Sequence, residues 1–386
     1  MRAIINGKVM TMAGETLEKG TVLTDKGKIV EVGTDVKVPQ GAEIIDAAGK
    51  IVMPGIIDAH THIGVYEEGV GFEGADGNEL TNPSTPQIRA IDAINPMEDG
   101  FRGAVAGGVT SLVTGPGSGN VIGGQAVAIK TWGRVVDDMV MLEPSGLKIA
   151  FGENPKRVYS SQKKSPSTRM ATAAILRENL VAAQNYRDKL AKGEKEPDKA
   201  PERDLKMEIL VRVLNKEIPL RAHAHRADDI ITAIRIAEEF DVDVSIEHCT
   251  EGHLIADFLA EKKVPAIIGP TLGTRPKVEL MNMTFKTPGI LHKAGVKVAL
   301  TSDHPVFPVQ HLTIAAALAH KDGLPEEEAL KAITINAAEI IGTADRVGSL
   351  EKGKDADVII LSGHPFDWQT VVEKTIIDGE IVYERK

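Results

Sequence analysis

Four short segments of this chain end an apolar run with side chains that bind metal ions. They are residues 58–62, 221–225, 246–248 and 300–303. Residues two apart in a strand share one face, so His60 and His62 can hold the same cation. Such a histidine pair is weak evidence by itself, but three further segments ending in histidine or aspartate indicate a metal centre that performs hydrolysis. Neutral imidazoles and a carboxylate suit Zn²⁺, with iron, manganese and cobalt as open alternatives.

Lys148 is predicted to point into the interior of the protein. Its neighbours Leu147, Ile149 and Phe151 are large and apolar, so they are expected to pack on the opposite face of a strand. A cationic lysine is costly to bury, whereas a carbamate formed with CO₂ is an anion that can bridge two cations. A lysine paired with an acidic neighbour is the alternative interpretation, and Glu153 is the rival bridging carboxylate.

The middle of the chain alternates strand-like and helix-like runs, which is typical of βαβ units. Eight runs are predicted as barrel strands: residues 55–62, 109–114, 125–131, 146–152, 219–223, 243–248, 264–269 and 295–303. Eight is the number of strands that a (β/α)8 TIM barrel needs, and the catalytic groups of such barrels lie at the carboxyl ends of the strands. The metal-binding segments lie at four of those ends. The predicted fold class is therefore α/β, with the site at the mouth of a TIM barrel.

Both ends of the chain carry short strand-like segments separated by glycine turns. Because neither end has enough strands to close a core alone, we expect residues 1–52 and 346–386 to form one small composite β-sandwich of antiparallel sheet. Residues 53–345 then form the catalytic barrel. Within the barrel, residues 167–190 and 202–215 are predicted as a helical hairpin around a charged, proline-containing loop.

Composition excludes several classes of function. The formal net charge is −10 with acidic and basic residues interspersed, so no basic surface for nucleic acid or for an anionic membrane is expected. Cys249 is the only cysteine, which rules out an internal disulfide and suits a reducing compartment. No apolar run of about 18 residues occurs and the N-terminus lacks a secretory apolar run, so the protein is expected in the cytoplasm. A homo-oligomer is the base-rate expectation.

The metal-binding residues give the chain a resemblance to the amidohydrolase superfamily, over essentially its whole length. It most resembles the branch of imidazolonepropionase-like and prolidase-like enzymes. The matching segments are residues 54–62, 107–111, 148, 223–225, 247–248, 301–303 and 348–357. The resemblance implies two cations, and the six ligands it implies are His60, His62, Lys148, His223, His248 and Asp303. The first two histidines and the aspartate would hold one cation, the later two histidines the other, and a carbamylated lysine would bridge them.

Arg226 departs from the pattern of part of that superfamily. Imidazolonepropionase and the deaminases that resemble it carry Glu or Gln three residues after the histidine of the fifth strand, where this chain has Arg226. The resemblance therefore favours two-metal hydrolases of amide, peptide-like or cyclic amide C–N bonds in a small molecule. A deaminase of an aminated or imidazolone-type ring is the alternative on the same fold. A non-catalytic scaffold that kept the barrel is the alternative of a different class.

Several residues are predicted to act on the substrate. Asp303 is the predicted general base and then acid, His225 a donor to the developing oxyanion, and His248 both a ligand and a catalytic group. Contacts to a small amide or dipeptide-like substrate are predicted for four further residues: Tyr66, Asn78, Arg89 and Arg226. Either arginine could bind a carboxylate through two hydrogen bonds, and a surface salt bridge is the competing interpretation for both.

Overall fold

The chain begins with five strands that form most of one sheet. The computed structural model describes residues 1–386. The strands are β1 (Arg2–Met10), β2 (Thr16–Asp25), β3 (Lys28–Gly33), β4 (Glu43–Asp46) and β5 (Ile51–Pro54). β1 pairs antiparallel with β2 but parallel with β4 and β5. The expected antiparallel pairing holds for β1, β2 and β3. β4 and β5 depart from it, because residues 34–42 cross to the other side of β1 before β4 begins.

Eight strands in the middle of the chain form a second sheet, rolled into a nearly closed barrel. They are β6 (Ile56–Thr61), β7 (Val109–Thr114), β8 (Ile122–Lys130), β9 (Val140–Ala150), β10 (Leu220–Ala224), β11 (Val244–His248), β12 (Ala266–Ile268) and β13 (Val298–Leu300). Each strand pairs with the next along the chain. After β13 the chain returns to β6, where His62 N donates to His304 O at 2.8 Å. The predicted α/β barrel with a separate β domain is confirmed.

One barrel strand runs opposite to its neighbours. β8 pairs antiparallel with both β7 and β9, whereas the other neighbouring pairs are parallel. The connection before β8, residues 115–121, is a short loop without a helix, and parallel strands need a longer crossover. The sequence therefore predicted the presence of this strand but not its direction.

Eleven helices connect and cover these strands. They are α1 (Asp99–Ala106), α2 (Val136–Met139), α3 (Glu153–Ser161), α4 (Arg169–Gly193), α5 (Leu205–Leu214), α6 (Ala227–Phe240), α7 (Ala256–Lys262), α8 (Thr287–Ala294), α9 (Leu312–Lys321), α10 (Glu326–Lys331) and α11 (Ile335–Ile341). α4 and α5 form the predicted helical hairpin around the charged loop. None of the helices combines the length and the apolar character that a membrane crossing requires.

The last three strands complete the first sheet. They are β14 (Val358–Leu361), β15 (Val372–Ile377) and β16 (Glu380–Glu384). β14 pairs antiparallel with β5, so the two ends of the chain share one sheet. The core of this sheet draws on both ends and includes Ile4, Val52 and Ile360. We propose residues 1–52 and 346–386 as one folding unit and residues 53–345 as the other.

A buried ion-pair network joins the barrel to the terminal sheet. Lys130, the last residue of β8, is surrounded by three carboxylates. Its Nζ lies 2.7 Å from Asp357 Oδ2, 3.0 Å from Asp355 Oδ2 and 3.3 Å from Asp378 Oδ1. Burial lowers the pKa of Lys130, but the carboxylates outweigh burial and raise the pKa overall. The lysine therefore stays cationic at the junction of the two sheets.

Replacing Lys130 with methionine is expected to lower the free energy of unfolding by about 3–5 kcal/mol, because buried carboxylates lose their cation. Urea unfolding followed by circular dichroism measures the change. Lys28→Met is the matched control, since Lys28 contacts the same Asp355 with a side chain that is 52% exposed. Its expected cost is at most about 1 kcal/mol. Equal losses of unfolding free energy in the two variants would contradict the larger stabilising effect expected of the buried Lys130.

Candidate metal centre

The first group of metal-binding side chains lies where β6 and β13 end. His60 Nε2 and His62 Nε2 are each 3.3 Å from Asp303 Oδ1. One donor atom from each of the three residues lies within 4.8 Å of the others. The two histidines extend from the same face of β6, as the two-residue spacing predicts.

The second group lies at the ends of β10 and β11. His223, His225 and His248 bring one donor atom each within 4.8 Å of one another. The ring of His248 is 4.4 Å from that of His223 and 5.2 Å from that of His60, measured between centroids. The two groups therefore adjoin and form one cluster, called here the histidine cluster: His60, His62, His223, His225, His248 and Asp303. His225, expected to contact the oxyanion, stands among the candidate ligands.

Two members of the cluster have unusual backbone conformations. His248 has φ 71° and Asp303 has φ 54°, in the left-handed region that few residues other than glycine adopt. His248 follows Glu247, whose register partner is His223, so simple alternation would turn Glu247 inward and His248 away. The left-handed turn at the end of β11 allows both side chains to face the cluster. Such backbone strain is common at functional sites.

Hydrogen bonds at the far side of the rings orient two of the imidazoles. His62 Nδ1 donates to Gly115 O and His248 Nδ1 donates to Gly269 O, both at 2.8 Å. A carbonyl only accepts, so each Nε2 keeps a lone pair directed at the cluster. His225 Nδ1 instead meets the Thr250 hydroxyl at 2.8 Å, and a hydroxyl can donate or accept. His225 therefore retains both neutral tautomers.

The donor atoms suit a divalent cation. His223 Nδ1 and Asp303 Oδ1 are buried and lack a hydrogen-bond partner, which is costly unless another ligand satisfies them. Imidazole nitrogens with a carboxylate oxygen are the usual donors of zinc and of neighbouring first-row metals. The histidine cluster therefore fits the metal dependence that its sequence pattern predicts.

Burial keeps three histidines of the cluster in the neutral form that can bind a metal ion. Burial lowers the pKa of His248 to about 3. Burial also holds the pKa of His223 and of His225 well below the usual value, and the adjacent His248 adds to this effect. Burial also acts on His60, but the Glu247 carboxylate outweighs it and the pKa of His60 is raised. Three of the imidazoles are therefore neutral, and able to bind a cation, throughout the neutral range.

Lys148 lies inside the barrel, beside the first group. Its Nζ donates to Glu247 Oε2 and is 3.5 Å from His60 Nε2. Glu247 Oε1 accepts from Arg221 Nε at 2.9 Å, so this carboxylate has two cationic neighbours. The unmodified lysine thus has the acidic partner that the alternative interpretation requires. Burial lowers the pKa of Lys148, which increases the fraction of neutral amine available to react with CO₂.

Glu153, the rival bridging carboxylate, lies in the first turn of α3. Its side chain is 32% exposed and its nearest cation is Arg157, at 3.9 Å. It belongs to neither group of candidate ligands. The structure thus places it at the edge of the mouth, whereas Lys148 is inside the barrel.

The predicted substrate contacts separate into two pairs. Tyr66 packs its ring 5.6 Å from that of His62, and Asn78 Nδ2 donates to the Tyr66 hydroxyl. Both residues therefore lie beside the cluster. Arg226 instead makes two 2.9 Å hydrogen bonds to Asp228, and Arg89 pairs with Glu143. Neither arginine is directed at the cluster.

Sequence reasoning missed several polar residues that the fold brings to the cluster. Glu279 Oε1 is 3.7 Å from His225 Nε2, and Lys277 Nζ is 3.5 Å from the same carboxylate oxygen. Asn154 Nδ2 is 3.5 Å from His223 Nε2. The sequence could have pointed to Glu247, because this residue directly precedes the candidate ligand His248 at the end of β11. Lys277 and Glu279 lie on the connection between β12 and α8, and Asn154 lies in the first turn of α3. No alternating sequence pattern gave the direction of these three side chains.

A solved amidohydrolase from Thermotoga maritima MSB8 has the same fold along its whole length. It is 48% identical in sequence, with a TM-score of 0.97 and full coverage of both chains. The chain belongs to the amidohydrolase family. A family model described as "Amidohydrolase family" (Amidohydro_3) matches residues 202–383. The resemblance predicted from the metal-binding segments is therefore confirmed.

Two curated relatives extend this comparison. "Amidohydrolase tasK" of Hapsidospora irregularis is 30% identical over 95% of this chain, which spans 40% of the length of that relative. An imidazolonepropionase of Thermoplasma volcanium is 24% identical over 96% of this chain and 92% of the relative. Membership of the family makes the chain an enzyme that acts on C–N bonds, in a family that is generally metal-dependent.

Proposed function

We propose that this protein is a metal-dependent hydrolase that cleaves an amide, peptide-like or cyclic amide C–N bond in a small molecule. The observation that carries the proposal is the pair of adjoining donor groups at the barrel mouth, His60, His62 and Asp303 beside His223, His225 and His248. A single cation needs only one such group. Two groups whose rings are in contact suit two cations that act on one bond.

The residues divide between the two cations as follows. His60, His62 and Asp303 would hold one cation, and His223 and His248 would hold the other. Lys148, if carbamylated by CO₂, would supply anionic oxygens to both. Zinc is the expected metal, with iron, manganese or cobalt as alternatives. When bound, such a pair polarises a carbonyl oxygen and lowers the pKa of water, so that hydroxide is available at neutral pH.

Asp303 is the proton carrier in this proposal. Burial raises the pKa of Asp303, but the neighbouring His248, His60 and His62 outweigh burial and hold the pKa well below its usual value. The residue is therefore an anion, and its Oδ1 has no hydrogen-bond partner. Asp303 accepts the proton of the attacking water and passes it to the leaving nitrogen.

His225 stabilises the oxygen of the cleaved carbonyl. When the Thr250 hydroxyl donates to His225 Nδ1, the proton of the imidazole lies on Nε2, which faces the cluster. That N–H then donates to the developing negative charge. His248 lies against both His225 and His223 and holds this side of the cluster together.

A substrate panel tests the reaction class. Zinc-loaded protein is expected to release a free amine from dipeptides, N-acyl amino acids or cyclic amides, and to produce no ammonia from aminated heterocycles. Chelation should remove the activity and added zinc should restore it. Ammonia from the heterocycles without cleavage of any amide would overturn the proposal, and so would a purified protein that binds no zinc and cleaves nothing.

A deaminase is the second candidate, favoured by Glu279. Deaminases that resemble this chain carry an acidic or amide side chain where it has Arg226, but Glu279 Oε1 lies 3.7 Å from His225 Nε2. A loop thus supplies a carboxylate beside the histidines of the fifth strand. The ammonia measurement in the same panel separates this candidate from the amide hydrolase.

A further inference from the structure

The loop between β12 and α8 places a pair of charged residues beside the second donor group. Glu279, on this loop, has a side chain that is 1% exposed. Its Oε2 accepts from Glu153 N at 3.0 Å, which attaches the loop to the start of α3. Its Oε1 faces His225 Nε2 at 3.7 Å. The loop is thus held against the histidine cluster rather than standing free in solvent.

Lys277 has hydrogen-bonding capacity that the protein leaves unused. Its only polar partner is Glu279 Oε1, at 3.5 Å, and its side chain is 20% exposed. A lysine ammonium carries three N–H donors, so at least two remain for a ligand at the mouth. The same Glu279 oxygen lies 3.7 Å from His225 Nε2, so a single carboxylate oxygen separates the ammonium from the second donor group.

The other cations around the cluster are already engaged. Lys148 and Arg221 both donate to Glu247. Arg226 is held by two hydrogen bonds to Asp228. Lys277 is therefore the cation at this mouth that is best able to receive an anionic group of a bound molecule.

Asn154 adds an acceptor on the same side. Its Nδ2 donates to Ser118 Oγ at 2.7 Å and is 3.5 Å from His223 Nε2. Its Oδ1 is buried and has no hydrogen-bond partner. A buried acceptor of this kind suits an N–H group of a ligand. An N–H acceptor and a free ammonium thus flank His223 and His225.

We infer that Lys277 binds a carboxylate of the substrate and thereby selects N-acyl amino acids and dipeptide-like molecules. The inference rests on the proposed function for the position of the cleaved bond. In such a molecule the amide carbonyl and the carboxylate are only a few bonds apart, which matches the short path from His225 through Glu279 to Lys277. Glu279 acts as a positioning residue that holds the ammonium, and Asn154 receives the N–H of the amide.

The experiment compares each N-acetyl-L-amino acid of a panel with its C-terminal amide, which lacks the negative charge. Hydrolysis by the zinc-loaded enzyme gives kcat and KM, and calorimetry gives binding to the same protein independently of turnover. The wild type is expected to prefer the acids. Lys277→Met should raise KM and Kd for the acids about 10- to 100-fold, the effect of losing a hydrogen bond to a charged group, and should leave the amides nearly unchanged.

Two further variants make the result specific to position 277. Lys286→Met removes an exposed charge from the same loop and should change neither series. Lys277→Arg keeps the charge and should restore much of the preference for acids. Circular dichroism and zinc content show whether each variant folds and binds metal.

The outcomes separate this inference from the proposed reaction. Equal losses for acids and amides in Lys277→Met, or no loss in either series, would overturn the role of Lys277. A wild type that binds the acids preferentially, loses that preference in Lys277→Met and yet cleaves no member of the panel would support the carboxylate site and contradict the amide hydrolase.

Discussion

Replacing Asp303 with asparagine is expected to lower kcat/KM by about 10³- to 10⁴-fold while the protein stays folded. The variant loses the proton acceptor and one anionic ligand of the first group. Asparagine is the appropriate replacement because Asp303 has φ 54°, a conformation that asparagine tolerates better than alanine. Kinetics on the best substrate of the panel, with circular dichroism and zinc content on the same preparation, measure the effect.

The control for this variant removes an aspartate elsewhere. Asp322→Asn changes an exposed residue just after α9 and should keep full activity. His62→Ala tests the same group through a different ligand and should also abolish turnover in a folded protein. Activity within a few-fold of the wild type in folded Asp303→Asn or in folded His62→Ala would contradict the proposed mechanism.

Replacing Lys148 with alanine is expected to reduce activity by about 10²- to 10³-fold and to lower the zinc content, because the bridging anion is lost. The fold should survive, since Arg221 still pairs with Glu247 at 2.9 Å. Acetate or formate added to the variant should restore part of the activity by supplying carboxylate oxygens in the space left by the lysine. Turnover and zinc content are measured with and without the added acid.

Two comparisons distinguish the carbamate from the other interpretations of this region. Glu153→Gln should leave zinc content and turnover unchanged, because Glu153 lies at the edge of the mouth; loss of zinc in that variant would favour Glu153 as the bridge. If Lys148 acts only as the ion-pair partner of Glu247, Lys148→Ala will lose stability but keep its zinc and its activity. That result would contradict the carbamate.

The sequence predicted most of the histidine cluster because strands follow a simple geometric rule. His60 and His62 are two residues apart in β6, and alternation places both in the barrel. The same rule directed Lys148 inward, opposite Leu147 and Ile149, which lie in the core. Strands that follow one another along the chain are neighbours in the barrel, so the predicted strands could be expected to end close together.

The sequence could not predict features that depend on distant contacts or on irregular backbone. The direction of β8 depends on how the loop before it folds, and both directions fit its apolar pattern. Glu247 and His248 are adjacent, so alternation would have directed only one of them inward, and the left-handed φ of His248 changes that outcome. Glu279 reaches His225 from a loop without periodicity, so its role appears only in three dimensions.

The two arginines predicted to bind substrate show a different reason why a prediction from sequence can fail. Arg226 and Arg89 have the right chemistry for a carboxylate, but residue type alone does not reveal an existing partner. Asp228 and Glu143 occupy them in the folded chain. Lys277 has no comparable partner, and that difference became visible only once the distances were known.

Anomalous diffraction at the zinc edge, from crystals grown with zinc and bicarbonate, tests the central claim most directly. We expect two neighbouring peaks, one contacted by His60, His62 and Asp303 and the other by His223 and His248, with extra density on Lys148 Nζ. Zinc bound only at other places, or no zinc at the barrel mouth under saturating supply, would contradict it.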